Sequence, residues 1–121
     1  MHLAESGEMY LEAIHVLSEG GRPVRSVDVA EYLSLSKPSV SRAIGVLREG
    51  GYVVYDENKF LILTDSGREM AEKIYERHTI LTKLLIELGV EQALASEDAC
   101  KLEHAISDTS LAAIKRFLEH R

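Results

Sequence analysis

With 121 residues, 45% of them hydrophobic, the chain has material for one compact core or for two small ones that share contacts. No apolar run approaches the roughly 20 residues of a membrane span, the opening Met1-His2-Leu3-Ala4-Glu5 lacks the basic-then-apolar order of a secretory signal, and the single cysteine, Cys100, excludes an intrachain disulfide. A net charge of −6 works against a nucleic-acid partner, yet Lys37, Arg42 and Arg48 stand in a stretch, 37 to 48, that holds no acid.

An acidic protein can still dock on DNA through one such basic patch. The lone thiol and the absence of an export signal lead us to expect a cytoplasmic protein.

Leu11, Ile14 and Leu17 recur at helical spacing and predict a first helix from about Gly7 to Ser18, stopped by Gly20-Gly21 and Pro23. Ser26 is the expected N-cap of a short second helix, Val27 to Leu33. Ser36 is expected to cap a third. There Pro38 costs nothing, because the first N–H groups of a helix have no intrahelical partner. Val40, Ala43, Ile44 and Leu47 form its buried stripe, and Gly50-Gly51 ends it. Two β-prone runs, Tyr52-Val53-Val54-Tyr55 and Phe60-Leu61-Ile62-Leu63, flank the polar Asp56-Glu57-Asn58-Lys59, a hairpin of the size of a wing. Thr64-Asp65-Ser66-Gly67 caps a long helix that runs to about Leu88 and is closed by Gly89. Ala71, Ile74, His78, Leu81, Leu85 and Leu88 make a narrow coiled-coil-like seam along it. One further helix is expected to start after Ser96, with Glu97 and Asp98 in its first turn. The last is expected from about Ser110 to Glu119.

This order predicts a mainly α fold with a small β-hairpin wing: a winged helix-turn-helix over residues 1–63, followed by an α-helical dimerisation domain over 64–121. The third helix would enter the major groove. The long seam exceeds what a small domain needs, so part of it is expected to pair with a second copy in a homodimer. The residues expected to face DNA are Ser36, Lys37, Pro38, Ser39, Ser41, Arg42 and Arg48, with Lys59 at the wing tip near a flanking phosphate. Arg42 is the side chain here able to read guanine bidentately. Singly, these are the ordinary charges of a solvated helix face; the helix order and the hairpin turn the reading toward DNA.

A second informative region is Glu97-Asp98-Ala99-Cys100-Lys101-Leu102-Glu103-His104. On a helix, Cys100, Glu103 and His104, at i, i+3 and i+4, share one face. A thiolate, a carboxylate and an imidazole there can donate to one divalent ion. Met9 and Glu12 are likewise i, i+3, and His78 interrupts the apolar seam. Each has a plainer reading when taken alone. Met9 can be a core filler, Cys100 a small buried hydrophobe, Glu12 a solvated acid and His78 a hydrogen-bonded interior histidine.

Taken together, these motifs resemble the diphtheria toxin repressor and manganese transport regulator family of metal-dependent transcriptional repressors. The resemblance rests on Glu8-Met9-Tyr10-Leu11, on Ser36-Lys37-Pro38-Ser39-Val40-Ser41, on Leu63-Thr64-Asp65-Ser66-Gly67, and on Glu97 to His104 followed by Ser107-Asp108. It implies a regulatory metal site of Met9, Cys100, Glu103 and His104, as in the iron-responding branch. Glu12 and His78 match positions the manganese-responding branch uses in its two-metal cluster. The ancillary site of the iron branch is not expected, because Thr82 and Ser96 stand where that branch has a glutamate and a second histidine. With the sequence ending at Arg121, that branch's extra C-terminal domain is not expected either.

The implied mechanism is a divalent metal joining the first helix to the dimerisation domain. Two recognition helices would then lie about 34 Å apart on a palindromic double-stranded operator. Soft Met and Cys donors favour Fe(II) over Mn(II), with Co(II), Ni(II) and Zn(II) able to bind in vitro. No catalytic residue, membrane partner or small organic substrate is expected. Two other readings stay open at this point. One is a winged-helix regulator not controlled by metal; the other is a small metalloenzyme in which an open coordination position activates water.

Overall fold

The structure is a computed structural model and describes residues 5–121, with side chains from Gly7 onward. Its elements in chain order are α1 (Glu5–Leu17), a single 3₁₀ turn (Glu19–Gly21), α2 (Ser26–Leu33), α3 (Lys37–Glu49), β1 (Val53–Tyr55), β2 (Leu61–Leu63), α4 (Asp65–Glu87), α5 (Gln92–Leu102) and α6 (Asp108–Glu119). The chain divides into two compact units, Met1–Glu72 and Lys73–Arg121, so that α4 contributes to both.

In the first unit, α1, α2 and α3 close around Leu11, Ile14, Val29, Val40, Ile44 and Leu47, all buried. Three of the four stripe residues of α3 are fully buried, and Ala43 packs on the cluster from its edge. The N-cap of α3 is Ser36, whose side chain accepts from Ser39 N–H at 3.3 Å, and Pro38 sits in the first turn. The start of α2 differs from expectation. Arg25, not Ser26, is the N-cap residue, in extended conformation, and Asp28 accepts from the Arg25 N–H at 2.9 Å. An acid three residues on that reaches back to the N-cap N–H is one half of a capping box. It leaves the Ser26 hydroxyl for a long-range bond to Tyr55. Ser34 ends α2 in the left-handed region at φ 56°, which makes the turn into α3 tight.

The wing is an antiparallel pair with Val53 opposite Leu63 and Tyr55 opposite Leu61. Val53, Leu61 and Leu63 face inward while Val54 and Ile62 face out, the period-2 alternation of a half-buried sheet. It is shorter than the two expected runs, because Asp56 takes over the tip. Its carboxylate accepts from Asn58 N–H and Phe60 N–H, at 2.8 and 2.9 Å, and Lys59 adopts φ 66°. Thr64 then starts α4. Its hydroxyl donates to Gly51 O at 2.6 Å and accepts from Gly67 N–H at 3.1 Å. Gly67 lies against the wing so closely that a Cβ there would stand 2.0 Å from Tyr52 O.

In the second unit, Ile74, Ile80, Leu81, Ala95 and Ala99 are buried. The helix expected to start after Ser96 begins instead at Gln92, with Ser96 inside it. Glu91 is its N-cap, accepting from Ala93 N–H at 3.1 Å and Leu94 N–H at 3.4 Å. A glutamate is outside the usual capping set of Ser, Thr, Asp and Asn, which is why the earlier start carried no signal. Ser107 caps α6, accepting from Ser110 N–H at 3.1 Å. The apolar seam of α4 fades toward its end, where Leu88 is 67% exposed. Helix α6 has no buried residue, and its Phe117 is 56% exposed. Among the described residues no helix is long and apolar enough to cross a membrane.

Candidate metal centre and nucleic-acid interface

Helix α5 stops at Leu102, one residue before Glu103. Glu103 is the C-cap, its N–H donating to Ala99 O at 2.9 Å, and a turn over 103–105 follows. Glu103 keeps helical dihedrals at this C-cap, so the backbone still follows the helix through it. Cys100 stays exposed on α5, while the Glu103 side chain is 0% exposed and that of His104 only 4%. Among the described residues, Cys100 Sγ does not cluster with the Glu103 oxygen and the His104 nitrogen within 4.8 Å.

Burying a carboxylate demands compensation. Glu103 Oε2 lies 3.0 Å from His78 Nδ1. Glu103 Oε1 lies 3.3 Å from His104 Nε2, but the two are not aligned as a hydrogen bond, and Oε1 is buried without a hydrogen-bond partner. Leaving such an acceptor unsatisfied costs about 1–3 kcal/mol, more for a charged group. A carboxylate oxygen and an imidazole nitrogen at this separation suit adjacent ligands of one divalent ion held at about 2.0–2.2 Å. The residues present thus fit a metal, and the ion would satisfy the orphaned oxygen.

Arg77 organises this turn, and its role was not legible in the sequence. Its Nη1 donates to the carbonyls of Glu103 and Ile106, at 3.0 and 3.2 Å, and its Nη2 pairs with Asp108. Lys73 adds a second cation to Asp108 at 3.4 Å. The hydrogen bond from Arg77, then that from Lys73, holds the Asp108 carboxyl below the usual carboxylate range. The only sequence signal was an arginine beside His78 and an aspartate just after the proposed ligands.

In the first unit, Met9 is half-buried against the core and Glu12 is half-buried on the same helix. Of the residues expected to face DNA, Ser36, Lys37, Pro38, Ser41, Arg42, Arg48 and Lys59 are exposed and Ser39 is half-buried. A chain of contacts ties this face together: Ser36 Oγ donates to Ser39 Oγ at 2.8 Å, and Arg42 Nη2 reaches Ser39 Oγ at 3.5 Å. The Arg48 guanidinium lies 4.9 Å from the centre of the Tyr55 ring, so it is held on the wing as well as on α3. Arg25, not singled out in the sequence, sits at the entry to α2 with its guanidinium 4.9 Å from the centre of the Phe60 ring.

Two family models match the chain. The iron dependent repressor, N-terminal DNA binding domain, matches residues 2–61, and the iron dependent repressor, metal binding and dimerisation domain, matches residues 64–121. The chain belongs to the iron-dependent repressor family. This repressor-family chain is 38% identical over 119 residues to an uncharacterised HTH-type transcriptional regulator of Methanocaldococcus jannaschii, covering 97% of this chain and 95% of that protein. It is 32% identical over 107 residues to the diphtheria toxin repressor of Corynebacterium diphtheriae, covering 88% of this chain and 47% of that one. To the HTH-type transcriptional regulator MntR of Geobacillus kaustophilus it is 33% identical over 102 residues, covering 84% of this chain and 72% of that one. Among solved structures, a manganese-dependent transcriptional repressor in complex with manganese matches with a TM-score of 0.86 at 33% identity, over 95% of this chain and 53% of that chain. The chain thus spans about half the length of the diphtheria toxin repressor and of this structure. The expected fold, a winged helix followed by a helical dimerisation domain, is the fold of this family member.

Proposed function

We propose that the chain is a metal-dependent DNA-binding repressor of metal-uptake genes, working as a homodimer on a palindromic operator and activated by Fe(II) in preference to Mn(II). The observation that carries the reading is the buried, unsatisfied Glu103 Oε1 beside His104 Nε2. That pair has the chemistry to hold a cation, and the family model over this half of the chain is described as metal binding. The further donors we assign by chemical type and family resemblance are Met9, Glu12, His78 and Cys100. Relatives named for manganese set the alternative metal. The ranking of Fe(II) first rests on the thiolate and thioether, which disfavour an ion that prefers oxygen donors. We assign the DNA contacts to Ser36, Lys37, Pro38, Ser39, Ser41, Arg42, Arg48 and Lys59. We assign no catalytic residue, and place the protein in the cytoplasm.

The test starts from a duplex selected from a random pool with Fe(II) present. Anaerobic titrations of Fe(II) and of Mn(II) then read binding by fluorescence anisotropy. Fe(II) is expected to activate at the lower concentration, and a ~100-fold preference of the ion for the binding-competent state would strengthen DNA binding by ~2.7 kcal/mol. A lower requirement for Mn(II) overturns the metal ranking. Equal binding with chelator, and in the Glu103→Gln and His104→Ala variants, overturns metal control altogether.

A further inference from the structure

Helix α6 has no buried residue, yet its first residue, Asp108, shares an arginine with the turn that carries Glu103 and His104. We propose that Arg77 is a positioning residue for the metal centre, and that through Asp108 it links the docking of α6 to occupancy of the ion. The inference rests on reading Glu103 and His104 as ligands.

All the groups concerned lie in the second unit. Glu103 is the C-cap of α5, at the end of a helix whose last carbonyls have no intrahelical partner. Arg77 Nη1 donates to two carbonyls there, Glu103 O at 3.0 Å and Ile106 O at 3.2 Å, and Nη2 holds Asp108. One planar guanidinium thus fixes both ends of the segment that contains the two ligands. A lysine ammonium, a point charge, lacks that fork. The other ion pairs along α6 and its end, Lys73–Asp108, Lys115–Glu76 and Arg121–Glu87, leave their side chains 30–66% exposed, and such pairs hold weakly. The Arg77 side chain is only 12% exposed, so its pair with Asp108 carries most of the polar docking of α6.

Positioning and charge predict opposite signs. A guanidinium bonded to the Glu103 carbonyl has the same charge as the ion, so by electrostatics alone its loss would tighten metal binding. By positioning, its loss frees the turn and weakens binding. Outer-shell groups that orient metal ligands typically cost 10–100-fold in affinity when removed. Linkage is reciprocal: if a docked α6 raises affinity for the ion, the ion holds α6 in place by the same factor. An undocked helix of 12 residues is marginal in water, so its amides exchange once it leaves α4.

Anaerobic Co(II) titration of the full chain, read by the visible d–d absorption, tests this beside hydrogen exchange of the α6 amides. Arg77→Met is expected to weaken Co(II) binding about 10–100-fold, with the band position of the saturated protein unchanged because no ligand is lost. Asp108→Asn should act in the same direction. The double variant should lie within about twofold of Arg77→Met, because residues of one clamp are not additive. In wild type, saturating Co(II) should slow exchange of the α6 amides by about tenfold or more, and Asp108→Asn should lose most of that slowing. An Arg77→Met protein that binds Co(II) as tightly as wild type or more so, or wild-type α6 amides that ignore Co(II), would overturn the inference. The exchange measurement on wild type needs no variant, so a variant that fails to fold does not remove the test. Glu103→Gln and His104→Ala separate the two levels of the reading. If both bind Co(II) like wild type, the metal site itself is wrong. If they lose Co(II) while Arg77→Met keeps it, only the positioning role falls.

Discussion

Tyr55 Oη and Ser26 Oγ meet at 3.0 Å, joining the last residue of β1 to the first residue of α2. The same ring carries the Arg48 guanidinium at 4.9 Å. One side chain therefore ties the wing to both helices of the helix-turn-helix. Tyr55→Phe removes only the hydroxyl and is expected to cost about 0.5–1.5 kcal/mol in urea unfolding. Tyr55→Ala also frees Arg48 and should lower DNA affinity as well as stability. Wild-type DNA affinity in a folded Tyr55→Ala protein would show that the wing does not need this tie.

Gly67 and Gly45 both lie inside helices, and the expected effects of alanine at the two have opposite signs. Gly→Ala in a helix interior ordinarily stabilises by about 0.5–1 kcal/mol. At Gly45 nothing lies within 4 Å of a new Cβ, so Gly45→Ala should show that gain. At Gly67 the Cβ would meet the Tyr52 carbonyl at 2.0 Å. Backbone cannot swing aside, so Gly67→Ala should lose about 1–3 kcal/mol through overpacking. Thermal unfolding of the two single variants beside wild type gives both signs directly.

Asp108 sets a pH dependence. Its carboxyl is held below the usual range, first by Arg77 and then by Lys73. A carboxyl whose pKa is depressed in the folded state stabilises above its unfolded value, about 3.9, and loses that contribution as pH falls through the folded value. Asp108→Asn should therefore be less stable than wild type near neutral pH. The gap should close as pH drops below about 4. Because the pair is exposed, added salt should narrow it too. A gap that is constant with pH would mean that the asparagine acts through packing and not through charge.

Arg42 and Lys37 should separate base reading from phosphate contact. Arg42→Ala is expected to cost about 1–3 kcal/mol at one guanine and to relax specificity there. Lys37→Ala should weaken all duplexes alike and reduce the salt slope of log K by about 0.9. Competition with single-base operator variants, repeated at several salt concentrations, distinguishes the two. Unchanged specificity in Arg42→Ala would end its base-reading role.

Much of the molecule was legible in order of residues alone. The stripe Val40, Ala43, Ile44, Leu47 fixes which face of α3 turns inward, so Lys37, Ser41 and Arg42 had to face out. Ser36 and Thr64 announce their helices because a hydroxyl there reaches an N–H group only three residues away. Such signals are local, and local geometry follows from spacing. The caps made by Asp28 and Glu91 were missed, since those acids do their work outside the usual residue at the usual place.

The metal-side chemistry divides along the same line. Residue types and their spacing determined that a carboxylate, imidazoles and soft sulfur donors occur in a pattern suited to a divalent ion. Tertiary structure alone decided that α5 ends before Glu103, that one carboxylate oxygen is anchored by His78 while the other is left beside His104, and that Arg77 clamps the turn carrying them. The physical reason is that burial and hydrogen-bond commitment depend on groups some 25 to 31 residues apart in the chain. No helical period reports which distant groups will be buried together.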